Sequence, residues 1–197
     1  MRLRYSPASP FARKARVAAA HLGLALELET ADTMSSEDSI RQQNPLGKIP
    51  VLLRDSGPAL FDSPVILAYL DHVAGGGRIL PADPETRFAA LRLEALADGI
   101  MDAAILQIYE ARYRSEDKRV ESWVAMQAGK VARALAELEA SPPPEGDPNV
   151  GDITLGCALG YLDFRFGGQW RADHPGLVAW YERFAARCPA FSASAPD

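Results

Sequence analysis

The stretch Asn44-Pro45-Leu46-Gly47-Lys48-Ile49-Pro50-Val51-Leu52 constrains this chain more than any other. A turn-forming Asn-Pro and a glycine run into an Ile-Pro bond, and Val51-Leu52-Leu53 then reads as a short strand. Proline lacks a backbone donor, so it is tolerated at a strand's first residue, and an X-Pro bond is the one peptide link for which the cis form is accessible. A cis Pro50 would turn the backbone of Ile49 outward and leave its N–H and C=O free to pair with an extended peptide. A dozen residues on, Leu60-Phe61-Asp62-Ser63 places an acid and a hydroxyl at a helix start. Ser63 suits the N-cap, Pro64 the first helical position, and a helix N-terminus attracts a carboxylate. The two segments together outline a site for a small peptide.

The elements around these segments set the fold class. Arg2-Leu3-Arg4-Tyr5 alternates as a half-buried strand does, and Ser6-Pro7-Ala8-Ser9-Pro10 breaks it. Ser9 is the natural N-cap of a following helix with Pro10 as its first residue, running to Gly23. Leu24 to Thr30 reads as a second strand, Ser35 or Ser36 to Gln42 as a short helix, and Ala59-Leu60-Phe61 as a brief fourth strand after the one at Pro50. This order predicts a four-stranded mixed sheet flanked by helices over residues 1–74. Ala74-Gly75-Gly76-Gly77-Arg78 reads as a flexible break, and residues 75–84 as a linker. From Asp83-Pro84 the pattern is helical through the rest of an 85–197 domain. Helices are predicted to Arg114, over Lys118–Ala140, from Asn149, and over His174–Arg187, with a loose tail from Ala190. Asn149 with Asp152 three residues later forms a variant capping box.

Composition narrows the function classes. With 48% apolar and 24% charged residues, the 197-residue chain is of ordinary globular type. No apolar run approaches the ~20 residues of a membrane span, and Met1-Arg2-Leu3-Arg4-Tyr5 lacks the apolar core of a signal peptide, so no membrane association and a cytoplasmic location are expected. A net charge of −5 with dispersed basic residues argues against nucleic acid. Cys157 and Cys188 are the only cysteines, with no CxxC and no His/Cys cluster at metal spacing, so no metal is expected and Cys157 reads as inert core.

Ser-Pro at the first helix, Asn-Pro-Leu-Gly-Lys-Ile-Pro before the third strand and Phe-Asp-Ser-Pro at the last helix of the sheet domain, followed by an all-helical domain, resemble the cytosolic glutathione S-transferase superfamily. Ser6 to Lys14 and the run Gly160-Tyr161-Leu162-Asp163-Phe164-Arg165 are similar to bacterial members with serine at the first helix. The resemblance implies a thioredoxin-like N-terminal domain with a cis proline, a helical C-terminal domain and a homodimer. It also implies glutathione as co-substrate and a small electrophile as its partner. By the same resemblance Ser9 faces the glutathione thiol and is the catalytic residue. Ile49 clamps the cysteinyl backbone, Pro50 is the cis proline, Asp62 and Ser63 contact the γ-glutamyl end, and Lys48 lies near the glycine carboxylate. Neither the tyrosine nor the cysteine that other classes use near the thiol stands at the Ser9 position.

A thiol of reference pKa about 8.5 is only about 3% ionised at pH 7, so catalysis must raise that fraction. A hydroxyl hydrogen bond worth roughly 1.5–3 kcal/mol and a helix N-terminus worth about 0.3–1 kcal/mol are sufficient in sum. Ser9 either activates the thiol in this way or only caps its helix. Arg13, Lys14 and Arg16 follow Ser9 on one helix and read as a solvated face, with attraction of an anionic substrate as the alternative. Asp98 shares a helix face with Asp102 and is a candidate for reaching the partner subunit's glutathione, with solvent exposure or a salt bridge as alternatives. Phe11, Tyr109 and Arg112, with Tyr113 beside them, are candidates for the second-substrate pocket, against ordinary helix contacts. Conjugation is the leading reaction. Glutathione-dependent peroxide reduction, other reduction or isomerisation, and non-catalytic glutathione binding stand as alternatives.

Overall fold

The computed structural model describes residues 1–195; Pro196 and Asp197, the end of the predicted 85–197 domain and tail, lie outside the described residues. The N-terminal part runs β1 (Arg2–Tyr5), α1 (Pro10–His21), β2 (Glu27–Thr30), α2 (Ile40–Gln43), β3 (Val51–Leu53) and α3 (Ser63–Val73). The helical part runs α4 (Pro84–Tyr113), α5 (Glu121–Ala140), α6 (Val150–Phe166), α7 (Pro175–Arg187) and α8 (Pro189–Ser192). The sheet order is β2-β1-β3, with β1 parallel to β2 and antiparallel to β3. The fold is a thioredoxin-like N-terminal domain joined to an all-helical domain.

The sheet is mixed as expected but has three strands, not four. Only Leu60 of the predicted fourth strand pairs, exchanging two hydrogen bonds of 2.9 Å with Leu52. In an antiparallel ladder the next hydrogen-bonded pairs lie two residues away on each side, here Arg54 with Pro58 and Pro50 with Asp62. Both contain a proline, which has no N–H to give. The ladder therefore ends after one rung. The guanidinium of Arg54 instead donates to the Pro58 carbonyl at 2.9 Å.

Several boundaries also shift. The N-cap of α3 is Asp62 rather than Ser63, which takes the first helical position and is buried, with Pro64 second. The short α2 begins only at Ile40, because Asp32 and Asp38 fold the preceding segment into side-chain-closed turns. The strand Arg4 guanidinium, buried, donates to Asp38, Ser39 and Gln43 and ties α2 to the sheet. The glycine-rich break after α3 is an ordered strap: Asp71 accepts from the N–H groups of Gly77, Arg78 and Ile79 at 2.8–2.9 Å, and Ile79 is fully buried. The tail beyond Ala190 is not loose either. Arg13 in α1 donates to the Phe191 carbonyl and to Ser194 Oγ and stacks 4.1 Å from the Phe191 ring.

The core follows the long helices. On α4, Ala90, Glu94, Ala97, Met101 and Ala104 recur at helical spacing and turn toward α6, which is buried over its first thirteen residues. The predicted capping box starts α6, with Asn149 accepting from Gly151 and Asp152 while Asp152 accepts from Asn149. Ser9, Asp83 and Asn149 each cap a helix by accepting from backbone N–H groups.

Candidate functional site

An open cleft of about 650 Å³ lies between the sheet domain and the α4–α6 pair. Its volume is that of a small-molecule site. The turn at Asn44 builds one end. The Asn44 side chain, almost fully buried, accepts from Leu46 N–H and donates to the Lys48 carbonyl, while Gly47 takes the positive φ of 63° that the turn requires. The Ile49–Pro50 and Phe61–Asp62 peptide bonds are cis. Lys48 and Ile49 line the cleft, and no partner to the Ile49 N–H or C=O occurs among the described residues.

Ser9 lies on the same wall, half-buried at the N-terminus of α1. Its Oγ accepts from Ala12 N–H at 3.2 Å, and its carbonyl accepts from Arg13 N–H. Accepting occupies a lone pair, so the Ser9 O–H proton remains available to donate. Pro10 has no N–H, which leaves Phe11 N–H as the one donor of the first turn without an acceptor among the described residues. Ser9 thus offers a hydroxyl donor beside the positive end of a helix, a setting that favours an anion.

The facing wall comes from α4 and α6. Asp102, Ile105, Leu106, Tyr109 and Arg112 recur along one face of α4, and Tyr161 and Arg165 reach in from α6. Tyr109 and Tyr113 meet edge to face at 5.1 Å, and Tyr113, itself outside the lining, has its Oη 3.4 Å from Met34 Sδ in the loop after β2. Desolvation raises the Asp102 pKa, with nearby Lys48 opposing this and Asp62 adding to it. Burial likewise raises the Tyr161 pKa against the opposing charges of Arg165 and Arg112.

Of the residues singled out from sequence, Ser9, Phe11, Lys48, Ile49, Tyr109 and Arg112 line this one cleft. Pro50 is buried behind it, and Asp62 and Ser63 lie outside its lining at the start of α3. Asp98 forms the salt bridge that stood among its alternatives: both carboxylate oxygens accept from Lys14 Nζ, at 2.9 and 3.0 Å. One expectation is corrected. Arg13 and Lys14 are buried rather than solvated, and Lys14 also donates to Glu94 at 2.9 Å. Burial, reinforced by Glu94 and Asp102, pushes Asp98 up to about 6 despite the Lys14 ammonium. Arg16 alone of the three stays partly exposed, 5.4 Å from the Tyr5 ring.

Asp102, Tyr161 and Arg165 were not assigned to the site from sequence. The available signal for Asp102 was the second stripe on α4, spaced 102, 105, 106, 109 and 112, beside the core stripe. Among the described residues no group of three or more His, Cys, Asp or Glu is placed to hold a metal ion, and no helix is long and apolar enough to cross a membrane. Cys157 is fully buried, and burial pushes its thiol up to about 12.

A sheet domain with a cleft against a helical domain defines the class; comparison with known proteins supplies the family. Residues 3–78 match the glutathione S-transferase N-terminal domain and residues 121–183 the C-terminal domain. An uncharacterised GST-like protein, YibF of Escherichia coli K12, is 34% identical over 95% of both chains. A glutathione transferase family member from Pseudomonas fluorescens Pf-5 with bound glutathione is 42% identical, covers 100% of this chain and 98% of its own, and superposes with a TM-score of 0.91. The same protein has been crystallised with S-(propanoic acid)-glutathione. A glutathione S-transferase from Methylobacterium radiotolerans, in complex with glutathione sulfonate, is 40% identical over 99% of this chain and 94% of that one, with a TM-score of 0.89. The chain belongs to the glutathione S-transferase family.

Proposed function

We propose that this chain is a glutathione transferase that holds glutathione along its sheet domain and joins the sulfur to a small electrophile lying against α4 and α6. Residues 1–74 form the glutathione-binding domain, 75–84 the connection, and 85–197 the domain that supplies the second pocket. Ile49 pairs with the cysteinyl backbone beside Pro50, Lys48 meets the glycine carboxylate, and Asp62 with Ser63 receives the γ-glutamyl end. The protein acts as a cytoplasmic homodimer. The relatives crystallised with glutathione support the ligand, and the one holding an S-substituted glutathione supports a thioether product.

The observation that carries the reading is Ser9, whose hydroxyl keeps its proton to donate after capping α1. Donation to the sulfur stabilises the thiolate over the thiol, and the helix N-terminus adds to it. The thiolate then attacks the electrophile, and the thiol proton leaves to solvent. Lowering the thiol pKa also reduces its intrinsic nucleophilicity, so the rate gain is smaller than the gain in thiolate.

The test is Ser9→Ala assayed for glutathione binding by calorimetry and for turnover by a chromogenic electrophile. Glutathione binding should persist while kcat/KM falls about tenfold or more, as loss of a hydrogen bond to a charged group implies, and the pH profile should shift upward. A fall of less than about threefold with glutathione still bound removes Ser9 from the chemistry. Tight glutathione binding with no turnover of electrophiles, hydroperoxides or mixed disulfides points instead to a non-catalytic binding protein.

A further inference from the structure

The cleft has two chemically different ends. Near the sheet domain its charges are mixed: Asp32, and Asp102 under the influence of Lys48. Ten residues along α4, about 15 Å at 1.5 Å per residue, Arg112 lies on the same face. Arg165 from α6 lines the cleft with it, and both guanidinium charges act on the Tyr161 hydroxyl. Each cation lies over an aromatic ring, Arg112 at 5.7 Å from Tyr109 and Arg165 at 4.3 Å from Phe164.

Other arginines of α4 and of the turn after α6 are neutralised. Arg114 pairs with Glu110 at 2.8 Å and Arg171 with Asp163 at 2.6 Å. Arg112 and Arg165 have no carboxylate within ion-pairing distance among the described residues, and Arg165 Nε is buried without a hydrogen-bond partner. An unpaired buried donor on a charged group is costly, and Arg165 brings one to the lining of the cleft. Arg112, exposed at the mouth of the cleft, adds a second unpaired cation to the same lining in a protein of net charge −5. A guanidinium stacked on a ring keeps its N–H edge for a planar oxyanion, the geometry that suits a carboxylate.

We propose that this end of the cleft selects electrophiles carrying a carboxylate on a planar aromatic frame, with Arg112 and Arg165 binding the charge and Tyr109 and Tyr161 lining the ring. This deepens the transferase reading and rests on it. A fitting probe is 4-chloro-3,5-dinitrobenzoate. The glutathione sulfur forms a bond to the chlorine-bearing carbon, and the displaced electron pair spreads into the nitro groups. Chloride then leaves with the C–Cl pair and the thiol proton passes to solvent, so no oxidant or reductant is required.

The experiment compares this benzoate with its neutral amide, 4-chloro-3,5-dinitrobenzamide, as substrates of the full chain with glutathione. The benzoate should be favoured in kcat/KM by about tenfold or more. That ratio should fall toward one in Arg112→Met and Arg165→Met, chiefly through KM of the benzoate, and return in part in Arg165→Lys. Equal use of the two by the wild type overturns the inference while leaving the transferase reading intact. If neither is turned over, the pocket is tested by calorimetry on the two finished thioethers, the carboxyl and carboxamide forms of S-(2,6-dinitrophenyl)glutathione. Tighter binding of the carboxylate by tenfold, lost in the arginine variants, upholds the charge-reading pocket, and equal binding overturns it.

Discussion

The sheet-domain wall of the cleft is built from backbone and helix ends, whereas the facing wall is built from side chains projected by α4 and α6. On the first wall the groups that matter are the Ile49 amide and the α1 N-terminus, each fixed by a nearby proline or small polar residue, with the α3 N-cap Asp62 outside the lining. On the second they are Tyr109, Arg112, Tyr161 and Arg165, brought together across about fifty residues of sequence. Backbone groups present the same face whatever side chains surround them, so the first wall suits an invariant ligand. The second can be rebuilt by substitution without disturbing the fold, and it is where substrate choice belongs.

The largest effect should come from the junction beneath both walls. Lys14→Met leaves the Glu94 and Asp98 carboxylates buried without their cation, and breaking such a group from one side costs about 3–5 kcal/mol. Urea unfolding should show a loss of that order, and both walls should fail together. The same cluster makes stability depend on pH. The Asp98 pKa is raised from 3.8 to about 6 on folding, so its contribution is fully present below about pH 3.8 and is lost as pH rises through about 6. In thermal melts from pH 4 to pH 7, the wild type should lose stability relative to Asp98→Asn, and a constant difference between the two would refute this.

Smaller changes should separate the walls. Asp62→Asn removes a charge from the α3 N-terminus and should weaken glutathione binding about tenfold by calorimetry, with little change in KM for the electrophile. Leu106→Ala on the opposite wall removes partly exposed apolar surface and should do the reverse. It should raise KM for an apolar electrophile about threefold, from roughly 25 cal/mol per Å² of lost contact, while the glutathione Kd stays within twofold. If either variant moves both constants equally, the walls do not act independently.

What could be read from the sequence divides along the same line. Caps and prolines act locally, so the starts of α1, α4 and α6 at Ser9, Asp83 and Asn149 were legible, as was the turn at Asn44. The missing fourth strand was legible in principle, because its register sets both flanking rungs on Pro50 and Pro58. The burial of Lys14 was not legible, since its partners lie eighty and eighty-four residues away and a lysine on a helix is ordinarily solvated. The Arg112 and Arg165 cluster was hidden for the same reason: nothing local to either residue announces the other.

Cys157 lies across a void of about 10 Å³ from Ser9 and Pro10, close to where the proposed chemistry takes place. Its burial pushes the thiol up to about 12, so that sulfur stays protonated at pH 7. Cys188 is also fully buried with its thiol pushed up. The folded chain therefore exposes neither of its cysteine thiols to an alkylating compound. Reagents such as iodoacetamide or maleimides can accordingly be offered to it as substrates without consuming either thiol of the folded chain.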